Sequence, residues 1–158
     1  MSFQVARAPG KLVQMVSTQT GAMATGTTII PVDDTIPQIT EGTQFMTRTI
    51  TPKNAANRLL ITVVLYASIN EFRFLVAALF VGTTADALAV AENTITSSNL
   101  TSTVTFSHEM AAGVTTELTF RVRAGTDTAS TTTFNGRAGV RRYGGVAASS
   151  ITITEFTP

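Results

Sequence analysis

The feature that most constrains this chain is the stretch from Arg58 to Gly82, RLLITVVLYASINEFRFLVAALFVG. It predicts two long strands, Leu59–Ala67 and Phe72–Val81, joined by a tight polar turn at Ser68–Glu71. Alternate residues of a strand face opposite sides, so both strands are apolar on both faces. In the first strand the two sets are Leu59, Ile61, Val63, Leu65 and Leu60, Thr62, Val64, Tyr66. We therefore predict an antiparallel hairpin that needs cover on both sides.

The second apolar face of this hairpin is too large to leave in water. Each medium or large apolar side chain left exposed forgoes roughly 1.5–3 kcal/mol. Summed over two strands, that loss rivals the roughly 5–15 kcal/mol that stabilises a whole domain. No segment has a convincing helical pattern that could supply the cover, so the sequence predicts that another subunit covers this face.

Composition supports an interface and excludes several classes of chemistry. Charged residues make up 13% of the 158 residues and hydrophobic residues 44%, which is unusual for a free monomer. The net charge of +1 gives no sign of a nucleic-acid partner, and the lack of cysteine excludes disulfides and thiolate chemistry. We expect no secretory signal and no membrane insertion, because no apolar run reaches the roughly 20 residues of a membrane helix.

The rest of the chain predicts an all-β fold. Threonine accounts for 30 residues, and much of it alternates with apolar residues, as in half-buried strands. We predict an N-terminal arm at Met1–Lys11 and one domain from Leu12 to Pro158, an antiparallel β-sandwich or jelly roll. The further strands are predicted at Leu12–Gln19, Thr27–Val32, Gln44–Thr51, Asp86–Glu92, Leu100–Ala111, Glu117–Ala124, Thr131–Phe134 and Ser149–Phe156.

No pattern of residues predicts an enzyme. His108 is the only histidine, and neither a triad nor a metal cluster can be assembled around it from the sequence, so its role stays open. The ten carboxylates are scattered, with no pair that could be assigned as acid and base. We expect no catalytic residue, no metal and no cofactor.

One cluster of charge has the chemistry of a contact site. Arg137, Arg141 and Arg142 lie beside Tyr143 in a glycine-rich segment, and Asn135-Gly136 before them predicts a tight turn. Arginine forks suit an anionic sugar, a phosphate or a neighbouring protein. The alternatives are a solvated loop and arginines packed into a seam between subunits. Arg121 and Arg123, in contrast, are expected to pair with Glu109 or Glu117 on neighbouring strands.

Several long segments resemble a module of bacteriophage virion proteins. They are TGTTIIPVDDTIPQITEGTQFMTRTITP (Thr25–Pro52), the following NRLLITVVLYAS, and the C-terminal TFRVRAGT, TTTFNG and GGVAASSITITE. The resemblance covers nearly everything from Leu12 onward, and such modules occur in tail-fibre tips, head fibres and capsid decoration proteins. It implies a homotrimeric jelly roll, similar to tumour-necrosis-factor and complement-type heads, with apolar strand faces along the three-fold axis.

The resemblance leads to two hypotheses about function. The first is a non-enzymatic structural protein of the virion, made in the bacterial host cytoplasm. It would form a short trimeric spike, fibre tip or decoration that attaches to capsid or tail proteins through Phe3, Val5 and Arg7 of the arm. The second is a lectin-like module that binds glycans or another receptor on the host surface. The absence of tryptophan, with Tyr66 and Tyr143 as the only tyrosines, weakens the second hypothesis.

Overall fold

The computed structural model describes residues 10–158. Phe3, Val5 and Arg7 lie outside this range, so their role in attachment stays a prediction, as does the division into an arm and a single domain. Within the described part of the chain, no helix is long and apolar enough to span a membrane.

Twelve strands account for most of the described residues, and all their pairings are antiparallel. They are β1 (Leu12–Thr20), β2 (Ala24–Gly26), β3 (Thr43–Ile50), β4 (Arg58–Ile69), β5 (Phe74–Val81), β6 (Ala89–Thr94), β7 (Thr101–Ala111), β8 (Leu118–Thr126), β9 (Thr132–Phe134), β10 (Gly136–Arg137), β11 (Val140–Arg141) and β12 (Ser149–Phe156). Most predicted strands are confirmed to within a few residues. The strand predicted at Thr27–Val32 is wrong, because that segment has no regular structure.

The long strands form two sheets that enclose the main core. The first sheet has the order β1-β12-β4-β7. Beyond the end of β12, β9 pairs with the last residues of β4, and β2 pairs with β9. The second sheet has the order β3-β8-β5-β6. Along the eight long strands, every connection except β5–β6 crosses from one of these packed antiparallel sheets to the other, as in a jelly roll. The predicted fold class is confirmed.

The predicted hairpin is wrong, although its two strands are present. β4 pairs with β12, β7 and β9 in the first sheet, whereas β5 pairs with β6 and β8 in the second. The connection at residues 70–73 thus crosses from one sheet to the other instead of closing a two-strand turn. A side-chain period of two identifies the faces of a strand but not its hydrogen-bonding partner.

The second face of β5 is covered within the chain and not by another subunit. Val76, Ala78 and Phe80 are buried on that face together with Ile30, and Ile39 packs against them. Residues 27–42 supply this cover. The Ile30 amide donates to the Thr126 carbonyl at 2.9 Å and the Gly42 amide donates to the Ile29 carbonyl at 2.7 Å, which holds the segment in place.

The second face of β4 has no such cover from the described residues. Leu60, Thr62, Val64 and Tyr66 are half-buried, whereas the alternating residues from Leu59 to Ala67 are fully buried in the core. These four side chains lie in the middle of the outer face of the first sheet. The need for cover that the sequence predicted is therefore restricted to this sheet.

The charged residues of the strands also differ from expectation. Arg121 donates to the Gly82 carbonyl, and Arg123 donates to the carbonyls of Glu41 at 2.7 Å and Gly42 at 2.8 Å. The ion pair that uses Glu109 is made with Arg58. The pKa of Arg123 is lowered, first by burial and second by the charge of the neighbouring Arg121. The prediction that Arg121 and Arg123 pair with Glu109 or Glu117 is wrong.

Candidate functional site

The candidate site lies where the neighbour of β4 changes from β12 to β9. β12 pairs with β4 as far as Val64, and β9 takes over at Ala67. At Tyr66, between them, the backbone amide donates to the Ser149 hydroxyl at 2.8 Å and the carbonyl accepts from the Asn135 amide at 2.9 Å. Residues 135–148 leave the sheet at this gap and form an excursion that we call the arginine loop.

Asn135, the first residue of the arginine loop, anchors the loop. It is fully buried and has a φ of 52°, a conformation that asparagine tolerates better than most residues. Its side-chain amide donates to the Thr20 carbonyl at 2.7 Å and the Ala22 carbonyl at 3.1 Å, and its side-chain oxygen accepts from the Ser149 hydroxyl at 2.7 Å. Asn135 thereby connects the loop to the bend between β1 and β2 and to β12.

The predicted tight turn is displaced by three residues along the chain. β10 and β11 form a short hairpin whose two central residues are Ala138, with a φ of 51°, and Gly139, with a φ of 73°. Two successive positive φ values are the signature of a type I′ turn. The sequence signal at Asn135-Gly136 identified the left-handed residue correctly but not the turn.

The far side of the arginine loop is held close to the bend after β1. A Cβ atom added to Gly21 would lie 1.7 Å from the Gly145 carbonyl oxygen, so these two backbones are in direct contact. Tyr143, Gly144 and Gly145 all have positive φ, which reverses the chain before it enters β12. The loop is therefore fixed at Asn135 and again at Gly145.

A small pocket of about 160 Å³ opens between this loop and the sheet. We call it the arginine pocket; its lining residues are Tyr66, Thr101, Arg137, Arg142 and Tyr143. Tyr66 projects from the outer face of β4, and Thr101 is the first residue of β7. Tyr143 is 75% exposed. The pocket thus has a floor on the sheet and a rim of exposed arginines.

The structure brings together three of the four residues singled out from the sequence. Arg137, Arg142 and Tyr143 line the pocket, whereas Arg141 does not. The Arg141 side chain lies against the turn instead, with its Cδ and Nη1 atoms 3.4 Å from the position of a Cβ on Gly145. Sequence reasoning missed Tyr66 and Thr101, since only the pairing of β4 with β7 places them beside the loop.

The pocket is positively charged. Among residues 10–158, the ion pairs join Arg58 to Glu109 and Arg73 to Glu71 and Asp127, and none includes an arginine of the loop. The sequence has no Asp or Glu between Asp127 and Glu155. The hydroxyl and guanidinium groups of the arginine pocket are therefore free to bind an anionic or polar ligand.

His108 lies away from this pocket. It lies on the same face of β7 as the half-buried Phe106 and Met110, which pack against the core. Ser107 and Glu109, on the opposite face, are exposed. His108 is therefore on the core side of the strand. Within the described residues, no three His, Cys, Asp or Glu side chains are grouped so that they could hold a metal ion.

Comparisons with known proteins give no family. No protein-family model matches the sequence, and no curated protein matches it. The structure of Eiger TNF from S. frugiperda is similar with a TM-score of 0.48 and 8% identity, covering 90% of this chain and 93% of that one. The CBM36-1 domain of a multidomain xylanase, from the hindgut metagenome of Trinervitermes trinervoides, has a TM-score of 0.44 and 9% identity, covering 89% and 96%.

A viral protein is also among the similar structures. The VP2 subviral particle of infectious bursal disease virus has a TM-score of 0.40 and 10% identity, covering 92% of this chain and 38% of that one. With TM-scores below 0.5, these similarities identify neither a family nor a function.

Proposed function

We propose that this chain is a non-enzymatic structural protein of a bacteriophage virion that assembles as a homotrimer. It would form a short spike, fibre tip or decoration on the capsid or tail. Two arguments support the proposal: the sequence segments that resemble virion modules, and the outer face of the first sheet, which has the composition of a subunit interface.

The observation that carries the proposal is the lack of charge on that outer face. Side chains from four neighbouring strands lie there in rows set by the strand register. Apart from Glu109, which lies opposite Leu60, the residues of these rows are hydroxyl-bearing, amide or apolar. They are Met15, Ser17, Gln19, Ser150, Thr152, Thr154, Leu60, Thr62, Val64, Thr103, Thr105 and Ser107. Charges appear at the two margins: Arg58 pairs with Glu109 at one end, and Arg137 and Arg142 lie beside Tyr66 at the other. Depletion of charge distinguishes the core of an interface from ordinary surface.

We expect Thr62→Arg to convert the trimer into a folded monomer. Thr62 lies at the centre of the outer face, between Thr152 on β12 and Ser107 on β7, so three arginines would be brought together in an uncharged interface. Sedimentation velocity would measure the change in mass. The matched control is Thr49→Arg on the exposed edge strand β3 of the second sheet, which should leave the mass unchanged. A variant Thr62→Arg that stays trimeric would contradict the assignment of this interface.

The fold also separates the two ends of the sandwich. The Thr157 amide donates to the Lys11 carbonyl at 2.9 Å, so the chain enters β1 at the same end of the first sheet as Arg58. Tyr66 lies eight residues further along β4, about 25 Å away at the usual rise of a strand. This arrangement supports a protein that is attached to the particle at one end and presents the arginine pocket at the other.

Deleting residues 1–9 should therefore leave a folded trimer that no longer joins virions. Gly10 and Lys11 are retained in this variant because Lys11 is hydrogen-bonded to Thr157. A matched control replaces residues 1–9 with nine glycine and serine residues, which keeps the chain length and removes the side chains. Incorporation into particles would be measured by immunoblotting of purified virions. Normal incorporation of either variant would show that attachment is made elsewhere.

The alternative function is a lectin-like module whose main task is to bind host glycans. One observation favours it: both tyrosines of the chain line the same pocket, where their rings and hydroxyls could contact a sugar. A glycan array probed with the intact protein tests it. Binding together with normal virion assembly without the protein would favour this alternative, and an array with no hits would remove it.

A further inference from the structure

We infer that the arginine pocket binds the anionic group of an acidic saccharide, a carboxylate or a phosphate carried on a sugar chain. This inference concerns the ligand of the pocket and goes beyond a structural role in the virion. It does not depend on trimer formation, because every lining residue comes from one chain.

The charge of the pocket selects an anion. Arg137 and Arg142 present guanidinium forks that suit the geometry of carboxylate and phosphate oxygens. Neither has a carboxylate partner among residues 10–158, so a ligand would not have to displace an internal ion pair. The hydroxyls of Tyr66 and Thr101 can each donate one hydrogen bond to the same group.

The size of the pocket indicates a terminal group and not a whole ligand. Its volume of about 160 Å³ is below the range of roughly 300–1,000 Å³ for sites that enclose a small molecule. A single charged sugar residue at the end of a chain would enter, and the rest of the chain would lie outside. The exposed Tyr143 ring beside the opening offers a flat apolar surface for the next sugar.

The backbone of the pocket is held in position before a ligand binds. Tyr66 belongs to the central strand of the first sheet. Asn135 fixes the start of the arginine loop through its hydrogen bonds to Thr20, Ala22 and Ser149. The contact of Gly21 with Gly145 fixes the other end. Binding would therefore order mainly the two arginine side chains, which limits its entropic cost.

The test is titration calorimetry of the full chain with three oligosaccharides of similar length. One ends in glucuronate, one carries glycerol phosphate, and one is neutral. We expect at least one acidic oligosaccharide to bind at least tenfold more tightly than the neutral one. The two acidic arms distinguish a carboxylate ligand from a phosphate ligand. Equal binding of the neutral oligosaccharide, or no binding of either acidic one, would overturn the inference.

Matched variants separate the pocket from general positive charge. Arg142→Gln removes one of the two guanidinium groups and should weaken binding of the acidic oligosaccharide about tenfold or more. Arg141→Gln makes the same change of charge one residue away, outside the pocket, and should weaken it less than about threefold. Equal losses in the two variants would show non-specific attraction and contradict the inference. Both variants should keep the mass of the wild-type protein, so a failure of this inference is distinguishable from a failure of the trimer proposal.

Discussion

Replacing Phe80 with alanine is expected to lower the free energy of unfolding by about 3–5 kcal/mol. Phe80 is fully buried on the second face of β5, beneath residues 27–42. Its removal would leave a cavity bordered by Ile30 and Val76, which the surrounding backbone is too constrained to fill. Denaturant unfolding at a fixed protein concentration would measure the loss.

The control for this prediction is Phe72→Ala. Phe72 is 68% exposed at the connection between β4 and β5, so the same change of side chain removes little buried area. We expect an effect within about 0.5 kcal/mol. A similar small effect of Phe80→Ala would mean that residues 27–42 do not cover this face. A loss of trimer mass with unchanged stability would instead return β5 to a subunit interface.

Glu155→Gln is expected to destabilise the chain by about 3 kcal/mol, given roughly 1.5–3 kcal/mol for each hydrogen bond to a charged group. The Glu155 carboxylate is fully buried. It accepts from the side chains of Gln14 and Asn57, each at 2.6 Å, and from the backbone amides of Lys53 at 2.8 Å and Asn54 at 3.3 Å. These bonds fix the β3–β4 connection to the end of β12. Glutamine would turn an amide donor toward other donors.

The same carboxylate predicts a dependence on pH. Burial alone would raise the pKa of Glu155. Hydrogen bonds from Asn57, Gln14 and the backbone amides of Lys53 and Asn54 lower it by more, so the pKa lies below its ordinary value. A carboxylate with a lowered folded-state pKa adds stability above its unfolded pKa, about 4.3, and this stability is lost as the pH falls through the folded pKa. The stability difference between wild type and Glu155→Gln should therefore narrow from pH 7 to pH 3.

The control for both measurements is Glu117→Gln. Glu117 is exposed just before β8, so its replacement should change the free energy of unfolding by less than about 0.5 kcal/mol. If Glu155→Gln behaves as Glu117→Gln does, the hydrogen-bond network around Glu155 does not stabilise the fold.

The sequence was sufficient to predict strands and insufficient to predict their partners. Alternation along β1, β3, β7 and β12 gave their bounds within one residue, because it reflects one buried face for each strand. β4 and β5 were joined as a hairpin because they are adjacent in the chain and both strongly apolar. Their separation into two sheets depends on the long-range pairing of β4 with β12 and of β5 with β8, which the local sequence pattern does not reveal.

The cover over β5 was missed for a related reason. Residues 27–42 contain Pro31, Asp33, Asp34 and Pro37, which predict a surface connection. Ile30 and Ile39 of this segment are nine positions apart, which fits neither a period of two nor one of 3.6, yet both pack on β5. An irregular segment can bury a sheet face without any periodic signal.

The candidate site was predicted in part. Arg137, Arg142 and Tyr143 are close in sequence, so their clustering was visible as a run of charge without acidic neighbours. Tyr66 and Thr101 come from strands far along the chain and could be placed only once β4 was seen to pair with β7. The separation of Arg141 from the pocket depends on how the turn at Gly145 folds back, which the sequence alone does not specify.

The central claim is that the uncharged outer face of the first sheet is buried by three-fold assembly. Light scattering of the purified chain tests it most directly. The proposal predicts a stable species of 3 × 16.7 ≈ 50 kDa that persists on dilution into the nanomolar range. A clean 16.7 kDa monomer would contradict it, because Leu60 and Val64 would then remain at a solvent-facing surface of the sheet.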